Sequence, residues 1–569
     1  MTDSPVFQRK AENTLLYDYL DNWAKQYPDR PVCYEKVAGE YEPWSYRRLE
    51  MATKGFGIAL LQMGVVKGDR VAIWSRNCPE WVVADLAILR CGAIGVPIYP
   101  TVSADAAGYI LKHAGVKVLI CYAWDEQVAA IHSEFPDIRI ISIEENENTS
   151  QLMALAHNYE GSIEDEKMAD WPDADPNDIA SIVYTSGTTG NPKGVMLSHK
   201  NFMSNVTDIL SILPLSPADS VLSFLPLSHV FERTAGYYAP LAAGISIYYA
   251  DSHLTVATDI VLAKPSILIA VPRFFEKIHQ RIMTQLKGVK GLLFQWAHRI
   301  GSDYYIEQKQ GLVQRLLLKV AHGLVLKKIH AKTGGNIRFF VSGGAALNPD
   351  IWRFFEGMGL PIIEGYGMTE SSPVIAATPL DARIGGSVGV PLPSVQIRVA
   401  DDGELLAKGP NIMQGYWDNE SASSEVIDED GFLKTGDIVK IDDDGYIFIV
   451  DRKKELIVLS NGKNVAPVEV ENLLKASPEI EEAVVIGNGH SYITALIWPE
   501  DPGNTDKNHF TKLVNQRLSH LSSFKKVKKF SLMLEPLPED FVTATLKIKR
   551  KALIKHYQDR VDAMYSAKA

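Results

Sequence analysis

Residues 184–194 read Tyr-Thr-Ser-Gly-Thr-Thr-Gly-Asn-Pro-Lys-Gly and carry the strongest fold signal in the chain. The glycines let backbone N–H groups approach an anion without interference from a Cβ atom, while four aliphatic hydroxyl side chains and Lys193 add donors and positive charge. The apolar run 179–183 that precedes them is typical of a buried strand. We therefore expect a phosphate-binding loop at the carboxyl end of a strand in an α/β sheet, where such folds bind ligands.

This loop departs from the common nucleotide-binding pattern of glycine, four residues, glycine, lysine and then serine or threonine. Counting from Gly187, Pro192 stands where the second glycine belongs, and Gly194 follows the lysine. A surface loop rich in glycine, serine and threonine is the alternative interpretation. We favour phosphate binding because so many donors rarely stand beside a buried strand, and an ATP-using enzyme becomes the leading hypothesis.

Composition limits the classes to which the protein can belong. A chain of 569 residues predicts about three or four folding units. The formal net charge of −11 argues against a nucleic-acid-binding protein, which needs a positive field along the phosphate backbone. The four cysteines form no CxxC pair, the start lacks the features of a secretory signal, and no eighteen apolar residues run together. We expect a cytoplasmic protein that has no structural zinc and does not span a membrane.

Hydrophobic patterning in the first two thirds of the chain indicates alternating helices and strands. Short apolar runs alternate there with amphipathic stretches, which is typical of α/β layering. Strands are predicted at 71–74, 118–120 and 267–271, and a helix at 81–89.

The pattern changes after Gly385. Short strands separated by Asp/Gly turns predict a small antiparallel barrel at about residues 376–450. The charged stretch 451–455 reads as a linker, and the sequence beyond it is compact α+β, with a helix at 468–475 and a strand at 483–486.

Two further motifs contain groups suited to a nucleotide. Residues 365–370 read Gly-Tyr-Gly-Met-Thr-Glu, which places an aromatic ring that can stack on a base near Glu370, a carboxylate that can hold Mg²⁺ together with phosphates and water. Residues 434–437 read Lys-Thr-Gly-Asp, in which the Asp437 carboxylate can accept both hydroxyls of a ribose. Taken alone, each is more simply explained as a structural glycine turn.

These three motifs, followed by Asp451-Arg452, resemble in order and spacing the adenylate-forming superfamily of acyl-CoA ligases, luciferases and peptide-synthetase adenylation domains. The resemblance covers nearly the whole chain. Within the superfamily the sequence is most similar to bacterial long-chain fatty acyl-CoA ligases. The residues behind this narrower similarity are 225–233 (Leu-Pro-Leu-Ser-His-Val-Phe-Glu-Arg), 340–347 (Phe-Val-Ser-Gly-Gly-Ala-Ala-Leu) and 545–550 (Thr-Leu-Lys-Ile-Lys-Arg).

The resemblance implies an α/β fold with two domains of unequal size. A large N-terminal adenylation domain, residues 1–453, is expected to hold two layered α/β sheets plus the small β-barrel. A small mobile α+β domain, residues 454–569, is expected to follow it.

The resemblance also assigns nucleotide-binding residues. The loop would close over the β- and γ-phosphates, using Thr185, Ser186, Gly187, Thr188, Thr189, Gly190 and Lys193. The adenosine and α-phosphate would be bound by Gly343, Gly344 and Ala345 at the adenine, Tyr366 stacked on the base beside Gly367, Thr369 at the α-phosphate, and Asp437 with Arg452 at the ribose.

The implied catalytic residues are Lys547, Glu370, Thr185 and His229. Glu370 would hold Mg²⁺, and His229 would lie at the mouth of the acyl pocket. Lys547 would reach the carboxylate and α-phosphate oxygens during adenylation, although its basic surroundings alone favour a solvated surface.

For the second half-reaction the resemblance implies a rotation of the small domain. It places the hinge at Lys454, and it assigns the surface that then faces coenzyme A to residues 460–464, with Gly462, Lys463 and Asn464 as the CoA-binding residues.

Two basic segments have two interpretations each. The helical pattern at 311–330 places Leu312, Leu316, Leu317, Val320 and Leu324 on one face, and core packing is favoured over contact with a membrane surface. The lysine-rich run 525–529 is more simply a solvated face than a site for the phosphates of coenzyme A.

The expected reaction is that of a long-chain fatty acid–CoA ligase: ATP, a fatty acid and CoA give acyl-CoA, AMP and pyrophosphate through an acyl-adenylate. Three alternatives are a fatty acyl-AMP ligase that loads a carrier protein, a ligase for medium-chain or aromatic acids, and a nucleotide-binding regulator without turnover. A membrane surface and a second copy of the chain are further candidate partners. Some relatives have a gating tryptophan shortly after the histidine, whereas Phe231, Glu232 and Arg233 stand here.

Overall fold

A computed structural model describes residues 14–159, 171–185, 192–252, 254–286, 288–309, 311–542 and 548–566. The first part of the chain contains the following elements: α1 (Asp18–Gln26), β1 (Pro31–Val37), β2 (Glu40–Ser45), α2 (Tyr46–Gln62), β3 (Arg70–Trp74), α3 (Pro79–Arg90), β4 (Ile94–Ile98), α4 (Ala104–Ala114), β5 (Val116–Cys121), α5 (Glu126–Glu134), β6 (Arg139–Ser142), β7 (Ser150–Gln151) and α6 (Leu152–His157). The predicted strands at 71–74 and 118–120 and the predicted helix at 81–89 are confirmed.

The middle of the chain continues the alternation of helices and strands. Its elements are β8 (Ile179–Thr185), β9 (Lys193–Ser198), α7 (His199–Ile212), β10 (Ser220–Ser223), a π-helix (Glu232–Tyr238), α8 (Ala239–Ala243), β11 (Ser246–Tyr249), α9 (Val256–Ala263), β12 (Ile267–Ala270), α10 (Pro272–Gln285), α11 (Val289–Tyr305), α12 (Leu312–Ala321), a second π-helix (His322–Leu326), α13 (Lys327–Lys332), β13 (Phe339–Ser342), α14 (Pro349–Glu356), β14 (Ile362–Gly367), β15 (Val374–Ala377) and β16 (Val390–Pro391).

The last third contains shorter strands and fewer helices. These are β17 (Gln396–Val399), β18 (Glu404–Lys408), β19 (Gly415–Tyr416), α15 (Glu420–Val426), β20 (Leu433–Ile441), β21 (Ile447–Arg452), β22 (Ile457–Val458), β23 (Asn464–Val465), α16 (Pro467–Lys475), β24 (Ile480–Ile486), β25 (Thr494–Pro499), α17 (Lys507–Arg517), β26 (Lys529–Leu532), α18 (Arg550–His556) and α19 (Gln558–Ser566).

Two large sheets form the layers of the N-terminal domain. One has the strand order β16-β15-β14-β13-β12-β10-β11-β1-β2, and the other β19-β9-β8-β4-β3-β5-β6-β7. All twelve residues of α3 are buried, because this helix contacts β1 of the first sheet and also β3 and β4 of the second. The central parallel strands are covered on both faces, which explains why they read as continuous apolar runs in the sequence.

The predicted barrel region forms a four-stranded antiparallel sheet with the order β17-β18-β20-β21. Closure of this sheet into a barrel stays a prediction. Beyond it, a three-stranded sheet of order β24-β25-β26 packs with α16 and α17 to form the smaller α+β domain. The exact boundary between the two domains, expected after residue 453, also stays a prediction.

The prediction for the amphipathic segment 311–330 is wrong. We expected its apolar face to pack in the core, but the side chains of Leu312, Leu316, Val320 and Leu324 are all exposed. The segment is attached instead through its opposite side, where Ala321 is fully buried.

Candidate functional site

The ends of the Gly-rich loop are fixed by strand pairing. Thr185 is the last residue of β8 and Lys193 the first of β9, and the two are directly opposite each other in an antiparallel ladder. Strand β8 also pairs in parallel with β4, through Ser181 and Gly95. The expected loop residues Ser186, Gly187, Thr188, Thr189 and Gly190 lie outside the described residues, so their roles stay predictions.

A buried carboxylate lies close to the base of this loop. Glu370 follows β14 in a short 3₁₀ helix, and its Oε1 accepts a hydrogen bond from the Tyr416 hydroxyl at 2.8 Å. Strand β19 carries Tyr416 and pairs with β9, so the ring also lies beside Lys193, whose Nζ is 4.8 Å from its centroid. The structure thus brings Glu370 and Lys193 together through a tyrosine that no local sequence pattern distinguished.

Burial favours the protonated form of this tyrosine. Desolvation, and secondarily the Glu370 carboxylate, raise the pKa of Tyr416. Its hydroxyl therefore remains a hydrogen-bond donor at neutral pH and keeps the Glu370 side chain in one orientation.

The two remaining motifs meet in a second cluster. The Tyr366 hydroxyl, at the end of β14, donates to Asp437 Oδ2 at 2.7 Å. Arg452 Nε lies 3.1 Å from Asp437 Oδ1, because β20 and β21 place these two residues opposite each other. Only 3% of Asp437 is exposed. Asp437 is thus held on one side by a tyrosine hydroxyl and on the other by a guanidinium.

The glycines after β13 permit a close approach of backbone to a ring. A Cβ atom on Gly343 would lie 2.7 Å from Cζ of Phe231, so only glycine fits between the two segments. Gly344 has φ +82°, a left-handed conformation that favours glycine. The next residue, Ala345, is exposed, so residues 343–345 form a turn without a bulky side chain.

The turn that carries Glu370 also requires a glycine. A Cβ atom on Gly367 would lie 1.8 Å from the backbone oxygen of Pro373. Thr369, half-buried, begins the 3₁₀ helix directly after this turn. The expected residues Tyr366, Gly367, Thr369 and Glu370 therefore lie on one short segment at the end of β14.

His229 is next to the glycine turn through its neighbour in sequence. Its Nδ1 accepts a hydrogen bond from the backbone N–H of Phe231 at 3.1 Å, and its ring contacts Tyr99 edge-on. Since Phe231 packs on Gly343, the histidine segment and the glycine turn lie side by side.

The two residues that follow Phe231 are held in the interior. Arg233 forms a fully buried ion pair with Asp85 of α3. Glu232 accepts a hydrogen bond from the Ser223 hydroxyl at 2.6 Å, and burial raises its pKa to about 8. Of Phe231, Glu232 and Arg233, Phe231 is thus the residue whose side chain contacts the glycine turn.

Lys453, the expected last residue of the large domain, is held by two carboxylates. Lys453 Nζ lies 2.5 Å from Asp402 and 2.8 Å from Glu404, and its backbone N–H donates to Gly436. The expected hinge, Lys454, comes next and is exposed.

The expected CoA-facing segment forms an exposed hairpin turn. Residues 459–463 connect β22 and β23, Gly462 has φ +77°, and Asn464 begins β23. Lys463 Nζ lies 4.6 Å from the centroid of the Phe524 ring. Lys547 lies outside the described residues, between Val542 and Ile548, which pair with each other in an antiparallel bridge.

Charged pairs connect the small domain to α10 of the large domain. Arg273 lies 3.1 Å from Glu482 and 3.6 Å from Glu481, and Lys475 lies 3.7 Å from Glu276. In the lysine-rich run, Lys525 is already paired with Glu469 at 2.6 Å.

The described part of the chain was also searched for a metal site and for a membrane-spanning helix. It contains no group of three or more histidine, cysteine or acidic residues arranged to hold a metal ion. Within the same residues, no helix combines the length and the apolar character needed to cross a bilayer. All four cysteines are buried and carry free thiols.

Comparisons with known proteins identify the family of the chain. Residues 20–417 match the profile described as AMP-binding enzyme, and residues 454–569 match the AMP-binding enzyme C-terminal domain. The chain is 32% identical to the long-chain-fatty-acid–CoA ligase FadD15 of Mycobacterium bovis over 95% of both chains. It is 30% identical to long chain acyl-CoA synthetase 7, peroxisomal, of Arabidopsis thaliana, with 93% of this chain and 82% of that one covered.

A solved structure shares the fold. The crystal structure of the anthranilate CoA ligase AuaEII in complex with anthranoyl-AMP superposes with a TM-score of 0.79 at 22% identity, covering 97% of this chain and all of the other. The chain therefore belongs to the AMP-binding enzyme family, the adenylate-forming enzymes.

Proposed function

We propose that the protein is an ATP-dependent long-chain fatty acid–CoA ligase that works through an acyl-adenylate. The observation that carries the proposal is that the short segment 366–370 contributes one residue to each of two polar clusters: Glu370 with Tyr416 and Lys193, and Tyr366 with Asp437 and Arg452. The first suits phosphates and their metal ion, and the second suits a ribose. The family membership supports the reaction class.

In the first half-reaction a carboxylate oxygen attacks the α-phosphorus of ATP. The new bond gives acyl-AMP, the bond from the α-phosphorus to the bridging oxygen breaks, and pyrophosphate leaves. Two anions approach each other and a third departs, so positive charge must offset the growing negative charge. We assign this role to Lys547 at the carboxylate and α-phosphate oxygens, and to the loop from Thr185 to Lys193 at the β- and γ-phosphates.

The residues at Glu370 fit a magnesium ion. Mg²⁺ is commonly held by one or two carboxylates, with phosphate oxygens and water completing its shell. Glu370 is a single buried carboxylate beside the loop base, fixed through Oε1 by Tyr416. When bound, Mg²⁺ would neutralise phosphate charge as a Lewis acid.

The rest of the cleft would position the adenosine and the acid. Asp437 and Arg452 would bind the ribose, and Tyr366 would stack on the base, which lies against the backbone of Gly343, Gly344 and Ala345. Thr369 would donate to the α-phosphate. His229 would lie at the entrance of the acyl pocket, with Phe231 between that pocket and the nucleotide.

In the second half-reaction the thiol of CoA attacks the acyl carbonyl carbon. The thioester forms, the acyl–phosphate bond breaks, AMP leaves, and the thiol proton passes to solvent. We propose that the small domain, residues 454–569, rotates about Lys454 between the two steps. The exposed turn at Gly462, Lys463 and Asn464 would then face CoA.

The long-chain acyl substrate is proposed from the names of the relatives described above. The proposal places the reaction in the cytoplasm, with contact to the inner membrane surface, because long-chain acids partition into lipid.

A panel of carboxylic acids tests the proposal. Acids from acetate through stearate, and aromatic acids, are each assayed for AMP formation with and without CoA. We expect rapid AMP formation with long-chain acids and CoA, together with the acyl-CoA product. Acyl-AMP formation that free CoA does not convert to thioester would favour a carrier protein as acceptor, and an absence of acid-dependent AMP release would contradict ligase function.

A further inference from the structure

The helix α12 and the π-helix after it present an exposed apolar strip, defined here as Leu312, Val313, Leu316, Val320 and Leu324. Exposed fractions are 86% for Leu312, 72% for Val313 and 64% for Leu316, with the other two near one half. Single exposed aliphatic residues are common on protein surfaces, but five on one helical segment are not. This strip is therefore a candidate contact surface.

Helical geometry places the strip opposite the attachment of the helix. At 3.6 residues per turn, Leu312, Val313, Leu316 and Val320 fall within an arc of about 100°. Ala321 and Leu326 are fully buried, and Leu318 packs against the same core cluster as Phe354 and Phe355 of α14. The segment thus has a docked side and an outward apolar side, and the outward side contributes nothing to the core.

The surroundings of the strip are strongly basic. Residues 289–332 contain eight Lys or Arg and two Asp or Glu, in a chain whose net charge is −11. Arg315 and Lys319 are exposed on the same segment, along one border of the strip. The preceding helix α11 packs against α12 and begins with three more exposed apolar residues, Val289, Leu292 and Leu293.

We infer that the apolar strip is a docking surface for an anionic lipid bilayer. An outward apolar face bordered by Lys and Arg is the pattern of a helix that lies in a membrane interface, with its apolar side chains among the acyl chains and its cations at the headgroups. A second copy of this chain fits less well, because the two basic regions would face each other. Docking would place the large domain at the surface into which long-chain acids partition. That consequence rests on the proposed function, whereas the docking itself does not.

Vesicle co-sedimentation of the full chain, without substrates, tests the inference. The vesicles contain phosphatidylcholine alone or phosphatidylcholine with about one third phosphatidylglycerol. We expect binding to the anionic vesicles that falls as salt rises, because the cationic contribution is screened. The triple variant Leu312→Ser, Leu316→Ser, Val320→Ser should lose about tenfold in apparent affinity, and the double variant Arg315→Gln, Lys319→Gln should lose binding to anionic vesicles in particular.

Matched controls come from other exposed positions. Val66→Ser, Leu254→Ser and Leu534→Ser replace apolar residues outside the strip, and Lys112→Gln with Lys440→Gln removes cations elsewhere. These variants should bind vesicles as the unchanged chain does. Equal binding by the strip variants and the unchanged chain, or no vesicle binding by the unchanged chain, would overturn the inference. A dimer in sedimentation velocity that the triple variant converts to monomer, without vesicle binding, would assign the strip to self-association instead.

Discussion

The nucleotide side of the large domain and the attachment of the small domain are built from different kinds of contact. Asp437 and Glu370 are buried, and each is fixed by a tyrosine hydroxyl carried on a neighbouring strand or turn. The small domain is attached to α10 by long charged side chains, Arg273 and Lys475 among them.

The proposed function requires a fixed nucleotide site and a small domain that rotates, and the two kinds of contact fit these two requirements. Breaking a buried hydrogen bond leaves a desolvated group without a partner, which costs about 1–3 kcal/mol. At the small domain, separation from α10 would return Arg273 to water, while the buried Glu482 would keep Lys475 of the same domain as a partner at 3.3 Å. These contacts support the proposal of a rigid nucleotide site and of a small domain that separates from α10 without leaving Glu482 unpaired.

The largest expected effect is on the hinge. Lys454→Pro fixes φ at one residue, so it should stop thioester formation while leaving fatty-acid-dependent pyrophosphate release largely intact. Lys454→Ala is the matched control, because it removes the same exposed side chain without restricting the backbone. Both half-reactions are measured by single-turnover quench. Unchanged thioester output in the proline variant would contradict a hinge at this position.

Lys547→Ala should have the next largest effect. Loss of a preorganised cation at the transition state predicts a decrease in adenylation of about 100-fold or more. Conversion of supplied acyl-AMP to thioester should be spared, because that step occurs after the small domain has moved. Lys551→Ala changes a nearby exposed lysine of α18 and should affect neither step. An equal loss of rate in adenylation and in thioester formation would contradict a specific role of Lys547 in adenylation.

Tyr416→Phe tests whether the hydrogen bond from Tyr416 to Glu370 supports binding of Mg²⁺. The variant keeps the ring beside Lys193 but removes the hydroxyl that holds Glu370. We expect about a five- to tenfold increase in the Mg²⁺ concentration needed for half-maximal adenylation, from the loss of one hydrogen bond to a charged group. The acyl-AMP to thioester step should not change. An unaltered Mg²⁺ dependence would contradict the proposal that the Tyr416 hydroxyl orients Glu370 for Mg²⁺.

The smallest effect concerns stability and pH. Burial raises the pKa of Glu232 to about 8 from 4.5, so the folded protein retains a proton that the unfolded chain loses. The resulting stabilisation is fully present below pH 4.5 and is lost as pH rises through about 8. Urea midpoints measured between pH 6 and about 9 should decrease, and Glu232→Gln should reduce that decrease. Parallel curves for the two proteins would show that Glu232 is ionised in the folded state.

The sequence predicted the elements whose signals are local. Central strands such as β3 and β12 could be identified because both of their faces are buried, which makes the sequence continuously apolar. The grouping of Tyr366, Asp437 and Arg452 followed from the resemblance, and the structure brings these three residues together.

The contacts that could not be predicted from the sequence join residues that lie far apart in the chain. Tyr416 reaches Glu370, and Phe231 fills the space beside Gly343, but no local pattern marks either pair. The apolar face of α12 was expected in the core and is exposed, because periodicity shows that a helix has an apolar face without showing what covers it.

The most direct test of the account is a single turnover of the unchanged chain with MgATP and a long-chain acid such as palmitate. Without CoA, one equivalent of acyl-AMP and one of pyrophosphate should form per active site and remain bound. Addition of CoA should then convert the acyl-AMP to acyl-CoA and release AMP. Absence of acid-dependent pyrophosphate release, or thioester formation with no acyl-AMP detected beforehand, would contradict a fixed adenylation site served by a movable domain.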